Sequence, residues 1–178
     1  DMSEWYTIKN INQLDTPALA VYPDRVKENI RILQQFVPDS NRLRPHVKTN
    51  KCAEVCKLML DAGIYKFKCA TIAEAEMLAG LKAQDVLLAY QPVGPKVVRL
   101  LELIEKFPST QFSCLIDDEG AANVLSAKAI EKGIVLSVYI DLNVGMNRTG
   151  ILAEDALNLF AHGSHLDGIE IVGIHAYD

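Results

Sequence analysis

The feature that most constrains this chain is a strict alternation of short β-prone runs with segments of helical period. Apolar β-type runs fall at 18–22, 43–47, 65–70, 86–89, 111–116, 136–140 and 169–175. Helix-period segments lie between them. The clearest is 96–107, where Val97, Leu100, Leu101 and Ile104 share one stripe and Pro95 sits where a first-turn proline is tolerated. Asp24 can cap a helix presenting Val26, Ile30, Leu33 and Val37. Thr71 with Glu74 has the spacing of a capping box, and Asp118 can cap the stretch through Val124, Leu125 and Ala129. Such alternation predicts parallel strands joined by crossover helices, in either a doubly wound sheet or a (β/α) barrel.

Two observations weigh between those architectures. No Gly-x-Gly-x-x-Gly follows the first run, which lowers the dinucleotide-binding reading, because a pyrophosphate needs glycines where the backbone approaches it. Polar residues gather instead where a barrel builds its active site, after the carboxyl ends of successive strands. They are His46, Lys48, Thr49 and Asn50, then Thr71, Gln91, Asp117 and Asp118, Asp141 and Asn143, and finally His175 and Tyr177. The expected fold is therefore α/β, a (β/α)8 TIM-type barrel. A full barrel takes about 250 residues, whereas 178 residues supply about six strand-helix units. An incomplete barrel is expected, with a further C-terminal portion.

Composition narrows the function classes. With 49% apolar and 23% charged residues the chain can bury one sizeable core. A net charge of -5, with no local Lys/Arg cluster, argues against general nucleic-acid binding and for small-molecule work. No apolar run approaches the roughly 18 residues needed to span a bilayer, and the start, DMSEWYTIKN, lacks a signal-peptide layout, so neither a membrane nor secretion is expected and the default location is cytoplasmic. The four cysteines, Cys52, Cys56, Cys69 and Cys114, read as free thiols. Cys52 and Cys56 would share a helix face, but no further ligand stands at metal-site spacing, and no metal ligands are assigned.

Three ordered stretches then carry a resemblance. "RPHVKTNKCAEV", "YIDLNVGMNRTGI" and "GIHAYD" resemble the motifs of the D-threonine aldolase and D-serine dehydratase family, relatives of alanine racemase that use pyridoxal 5'-phosphate on a (β/α) barrel. The resemblance implies the N-terminal barrel domain of that type over 23–178. It implies also that 1–22 carries a strand paired with a C-terminal β domain, which makes 43–48 the first barrel strand.

Site residues follow from the resemblance, each beside a plainer alternative. Lys48 is implied as the Schiff-base lysine, a role that needs its neutral amine; otherwise it is a solvated lysine at a strand end, as Lys51 is taken to be. His46 alternates with Lys48, so both would point inward, as a cofactor neighbour or as a core histidine. Arg148 is implied near the cofactor ring, where it could tune the ring or hold a substrate carboxylate, and could instead form a loop salt bridge. Asp141 could orient Arg148 or cap a turn. His175 is implied against the pyridine ring, with a core histidine as the alternative, and Tyr177 is implied at substrate or cofactor. His162 and His165 read as solvent-facing.

The resemblance also implies an activity. A β-hydroxy-D-amino acid would be cleaved between Cα and Cβ to glycine and an aldehyde. Dehydration, racemisation and a non-catalytic pyridoxal phosphate carrier stay open. A divalent metal is implied for the intact protein, with its ligands and much of the phosphate site beyond this chain, and a homodimer at full length. Two departures matter. Alanine racemases follow their lysine with an Ala-Asn-Ala-Tyr-Gly-His-Gly type run, where this chain has Thr49, Asn50, Lys51 and Cys52, so plain alanine racemase is disfavoured. Aldolase and dehydratase relatives commonly carry a histidine at the position of Asn50.

Overall fold

The structure, a computed structural model, describes residues 4–177. Five parallel strands form one sheet: β1 (Lys66–Cys69), β2 (Asp85–Leu88), β3 (Gln111–Ile116), β4 (Leu136–Leu142) and β5 (Ile169–Ala176). Their spatial order follows their order in the chain. That sequential, all-parallel order excludes the reversal that defines a doubly wound sheet and leaves the incomplete barrel. Each strand is followed or preceded by a crossover helix: α1 (Pro23–Phe36), α2 (Ala53–Asp61), α3 (Ile72–Gly80), α4 (Pro95–Lys106), α5 (Glu119–Glu131) and α6 (Ala156–Gly163). Consecutive helices pack side by side along one face of the sheet.

The core lies between that helical layer and the sheet. Strand alternation sends Phe67, Val86, Leu88, Cys114, Ile116 and Val138 to the helices, where all are buried against Leu78, Leu100, Leu101, Leu125 and Leu159. The opposite face, which a barrel closes around, carries Lys66 and Lys68 on β1, Ser113 on β3, and Tyr139 and Asp141 on β4, with the buried Leu87 and Leu115 among them. All four cysteines are free thiols, three of them buried.

The expected helices are found, with instructive differences at two of their starts. Helix α4 begins at Pro95 and buries Val97, Leu100 and Leu101. Asp118 Oδ1 accepts from Ala121 N at 2.8 Å and caps α5. Thr71 Oγ1 accepts from Glu74 N at 3.1 Å, whereas Glu74 returns to Ala70 N (2.7 Å), one residue upstream of a capping-box partner. Asp24 does not cap α1. Pro23 takes the first helical position, with Tyr22 at the cap, so Asp24 falls within the first turn and meets the helix dipole instead.

The two leading runs do not form strands. Residues 18–22 lie outside helix and strand, with Leu19 74% and Val21 41% exposed, and no strand pairs with them among the described residues. The 43–47 run contributes a single parallel bridge, His46 to Lys68. Pro45 has no N–H to give a ladder; its carbonyl accepts from Lys68 N at 2.9 Å, and the chain then turns into a 3-10 helix at Val47–Thr49. This bridge with the five strands makes the six expected units.

Candidate active site

A cleft opens at the carboxyl ends of the strands, lined by His46, Lys48, Lys68, Ala89, Asp141, Leu142, Met146, Arg148, Thr149, His175 and Tyr177. Six residues singled out in the sequence, namely His46, Lys48, Asp141, Arg148, His175 and Tyr177, thus meet at one place.

The lysine wall is built locally. Arg44 grips Asp85 at the opposite end of the strands through both guanidinium nitrogens (2.5 and 2.7 Å), and Val47 is fully buried. Between those anchors His46 Nδ1 accepts from Lys48 N at 3.2 Å. Lys48 therefore leaves a 3-10 turn rather than a strand, and still reaches the cleft. Burial, then the nearby Lys48 and Lys68 charges, push His46 down to about 4, so this ring is neutral at pH 7. Lys51 is not merely solvated: its Nζ lies 2.5 Å from Oε1 of the buried Glu74. Burial alone would raise the Glu74 carboxyl, but the hydrogen bonds from Lys51 and Ala70 N outweigh it and hold the carboxyl below its ordinary value.

The opposite wall is built by the sheet. The β4–β5 register shifts between Val138 and Tyr139, so Ile171 faces Val138 while Gly173 faces Tyr139. That one-residue bulge sets His175, rather than Ile174, beside Asp141. Gly173 fits there because a Cβ would stand 3.0 Å from the Tyr139 ring. His175 Nδ1 then lies 2.6 Å from Asp141 Oδ1. Asp141 thus orients His175, and not Arg148 as the sequence suggested.

Arg148 comes from the loop after β4. Asn143 Oδ1 accepts from Gly145 N (3.2 Å) and Asn147 N (3.1 Å), and Gly150 N donates to Asp117 Oδ2 at 3.0 Å. Tyr177 sits among cations: Lys68 Nζ, Lys48 Nζ and Arg148 Cζ are 4.8, 5.5 and 5.8 Å from its ring centroid.

Lys68 is the site residue that sequence reasoning missed. Its Nζ is 3.0 Å from His175 Nε2. Burial first, then Lys48, lowers Lys68 from the ordinary lysine value, and Asp141 opposes that shift. The signal was available in "KFKC", where Lys66 and Lys68 alternate with the buried Phe67 and Cys69. Other strand-end polar residues brace rather than line the cleft. Gln91 Oε1 accepts from Asp117 N and Asp118 N, and Asn50 Oδ1 accepts from Cys52 N. His162 lies within α6, half-buried, with Nε2 2.7 Å from Asn123 Oδ1, so it does not simply face solvent. Among the described residues no group of three or more His, Cys, Asp or Glu side chains could hold a metal ion, and no helix is long and apolar enough to cross a membrane.

Residues 21–178 match the family described as "Alanine racemase, N-terminal domain". The chain belongs to that family. It is 30% identical to D-threo-3-hydroxyaspartate dehydratase of Delftia sp. (strain HT23) over 164 residues, 90% of this chain and 43% of that protein. With D-threonine aldolase of Arthrobacter sp. it shares 27% identity over 168 residues, 93% of this chain and 44% of that one. The crystal structure of D-threonine aldolase from Filomicrobium marinum superposes with a TM-score of 0.82 at 27% identity, covering 92% of this chain and 44% of that one. The family member thus spans less than half the length of the curated relatives it matches.

Proposed function

We propose that this chain forms the cofactor-bearing barrel portion of a pyridoxal 5'-phosphate-dependent lyase acting on β-hydroxy-D-amino acids, cleaving Cα from Cβ to give glycine and an aldehyde. The observation that carries the reading is the placement of the Lys48 amine in a strand-end cleft beside an aromatic ring, a neutral histidine and two further cations. That donor set suits an anionic aromatic aldehyde: an amine to attach it, Tyr177 and His175 to flank a ring, and Arg148 and Lys68 to meet its charge. When bound, pyridoxal phosphate supplies an electron sink for the bond broken at Cα.

The chain's own residues do the rest. Lys48 provides the attachment point. His46, uncharged, leaves the lysine's backbone fixed without adding a further cation. Arg148, free of a carboxylate partner among the described residues, is placed to hold a substrate carboxylate. Asp141 holds the His175 ring in one orientation. The relatives named above, a D-threonine aldolase and a D-threo-3-hydroxyaspartate dehydratase, support a hydroxylated D-amino acid as substrate. The dehydratase likeness also keeps loss of the hydroxyl as the second reading. A divalent metal held by ligands outside this chain, a cytoplasmic location and a full-length homodimer complete the proposal.

Borohydride reduction of the full-length protein with pyridoxal phosphate, followed by peptide mass spectrometry, tests the attachment. The Lys48 peptide gains the cofactor's mass, and Lys48→Ala loses the label; a label retained elsewhere in that variant removes Lys48 from its role. Product analysis with D-threonine and D-serine, with and without divalent metal, then separates cleavage from dehydration.

A further inference from the structure

We propose that Lys68 is a positioning residue of this site: its ammonium donates to Nε2 of His175 and holds that ring neutral, with the one ring N–H on Nδ1 and directed at Asp141. The two contacts are 3.0 Å, Lys68 Nζ to His175 Nε2, and 2.6 Å, His175 Nδ1 to Asp141 Oδ1. An ammonium can only donate and an ionised carboxylate can only accept, so the ring between them must accept at Nε2 and donate at Nδ1. The opposite partition, an imidazolium beside a neutral amine, asks lysine to yield its proton to histidine across an ordinary gap of roughly four pKa units. Burial, then the neighbouring Lys48, lowers Lys68, and Asp141 opposes that shift.

Geometry makes the arrangement specific to this site. The β5 bulge sets His175 opposite Asp141, and the His46 bridge ties Lys68 to the lysine wall. Lys68 therefore links the two walls, and its ammonium also sits over the Tyr177 ring at 4.8 Å. Within this pair the positive charge stays on the Lys68 ammonium while the ring beside it stays neutral and held at both nitrogens.

The part Lys68 plays in turnover rests on the Lys48 reading above; the ring tautomer does not, so the two fail separately. The test is long-range 1H–15N correlation of the four histidine rings in the 15N-labelled full-length protein without added cofactor, with His175 assigned by its loss in His175→Asn. The expected wild-type result is a protonated Nδ1 and a bare, hydrogen-bonded Nε2. In Lys68→Met, Nε2 loses its donor and takes up a proton beside Asp141, and its resonance moves to that of a protonated nitrogen at the same pH. Lys68→Ala makes the same comparison should the longer side chain not be tolerated, and Lys68→Arg, still a donor only, retains the wild-type pattern. A protonated Nε2 in the wild type, or an Nε2 unmoved by loss of the amine, overturns the proposal. Borohydride labelling of Lys48 in the same samples reports on the Lys48 reading alone.

Discussion

The two walls of the cleft are made by different physics. The lysine wall is a turn of a few residues, tied to the sheet by one bridge at His46, with the ion pair of Lys51 and Glu74 closing its far side. The β4–β5 wall rests on seven paired positions and a loop whose backbone is fixed at both ends. Side-chain hydrogen bonds and the buried Glu74 carboxylate hold the first; the second adds backbone register and glycine geometry to the side-chain contacts of Asn143, Asp117 and Asp141. Lys48, the residue expected to react, thus sits on the more adjustable wall, facing a rigid one that sets the orientation of His175.

Gly150→Ala is the most direct way to break the rigid wall. Gly150 has φ +96°, and a Cβ there would lie 2.6 Å from Asn143 N and 2.7 Å from Leu142 C. Both obstacles are backbone, so the β4 end must move, at a cost of about 3 kcal/mol in stability. Thermal unfolding is expected to show a loss of roughly 10 °C. A variant within a few degrees of wild type would mean that this wall is as adaptable as the other.

Glu74→Gln acts on the lysine wall with a smaller effect. The amide still offers Ala70 N an acceptor but loses the charge that pairs with Lys51, and costs about 1.5 kcal/mol at pH 7, Lys51 itself being well exposed. Because the folded carboxyl lies below its ordinary 4.5, its contribution is full above that value and is lost as pH falls through the lower folded value. The deficit of the variant should accordingly close on acidification below about pH 4.5, as read by urea unfolding at stepped pH. Amide exchange should quicken at Lys48, Thr49 and Asn50 and stay unchanged at Asn143 and Ile151. Equal quickening at both places would erase the distinction between the walls.

What the sequence made legible follows the same division. Period and caps placed β3, α4 and α5 nearly to the residue, because those elements owe their ends to local chemistry such as Pro95 and Asp118. The strand expected at 43–47 was lost to Pro45, whose missing N–H leaves room for one bridge only. Five cleft residues were readable because barrel strands deliver polar side chains to one end, and Arg148, on a loop, was readable only through the family resemblance. Their pairing was not. Asp141 meets His175 through a register shift that alternation conceals, and only Gly173, an isolated glycine within a strand run, hints at it. Lys68 was hidden for a related reason: its partner lies 107 residues away in the chain.

The smallest expected effect sharpens the comparison most finely. Asn147 has φ +54°, in the left-handed region, and its side chain accepts from Asn143 Nδ2 at 3.0 Å. Asn147→Gly relieves the backbone cost and forfeits that exposed hydrogen bond, two quantities of similar size, while glycine's extra freedom in the unfolded chain adds a small penalty. The N–H of residue 147 still reaches Asn143 Oδ1, so the loop keeps the contact that shapes it. Stability should change by less than about 0.5 kcal/mol, with Arg148 still presented to the cleft and labelling of Lys48 unaltered. A loss of about 1.5 kcal/mol or more in denaturant unfolding, several times the ordinary surface effect, would show that the Arg148 loop depends on side-chain pairing. The β4–β5 wall would then share the construction of the wall it faces.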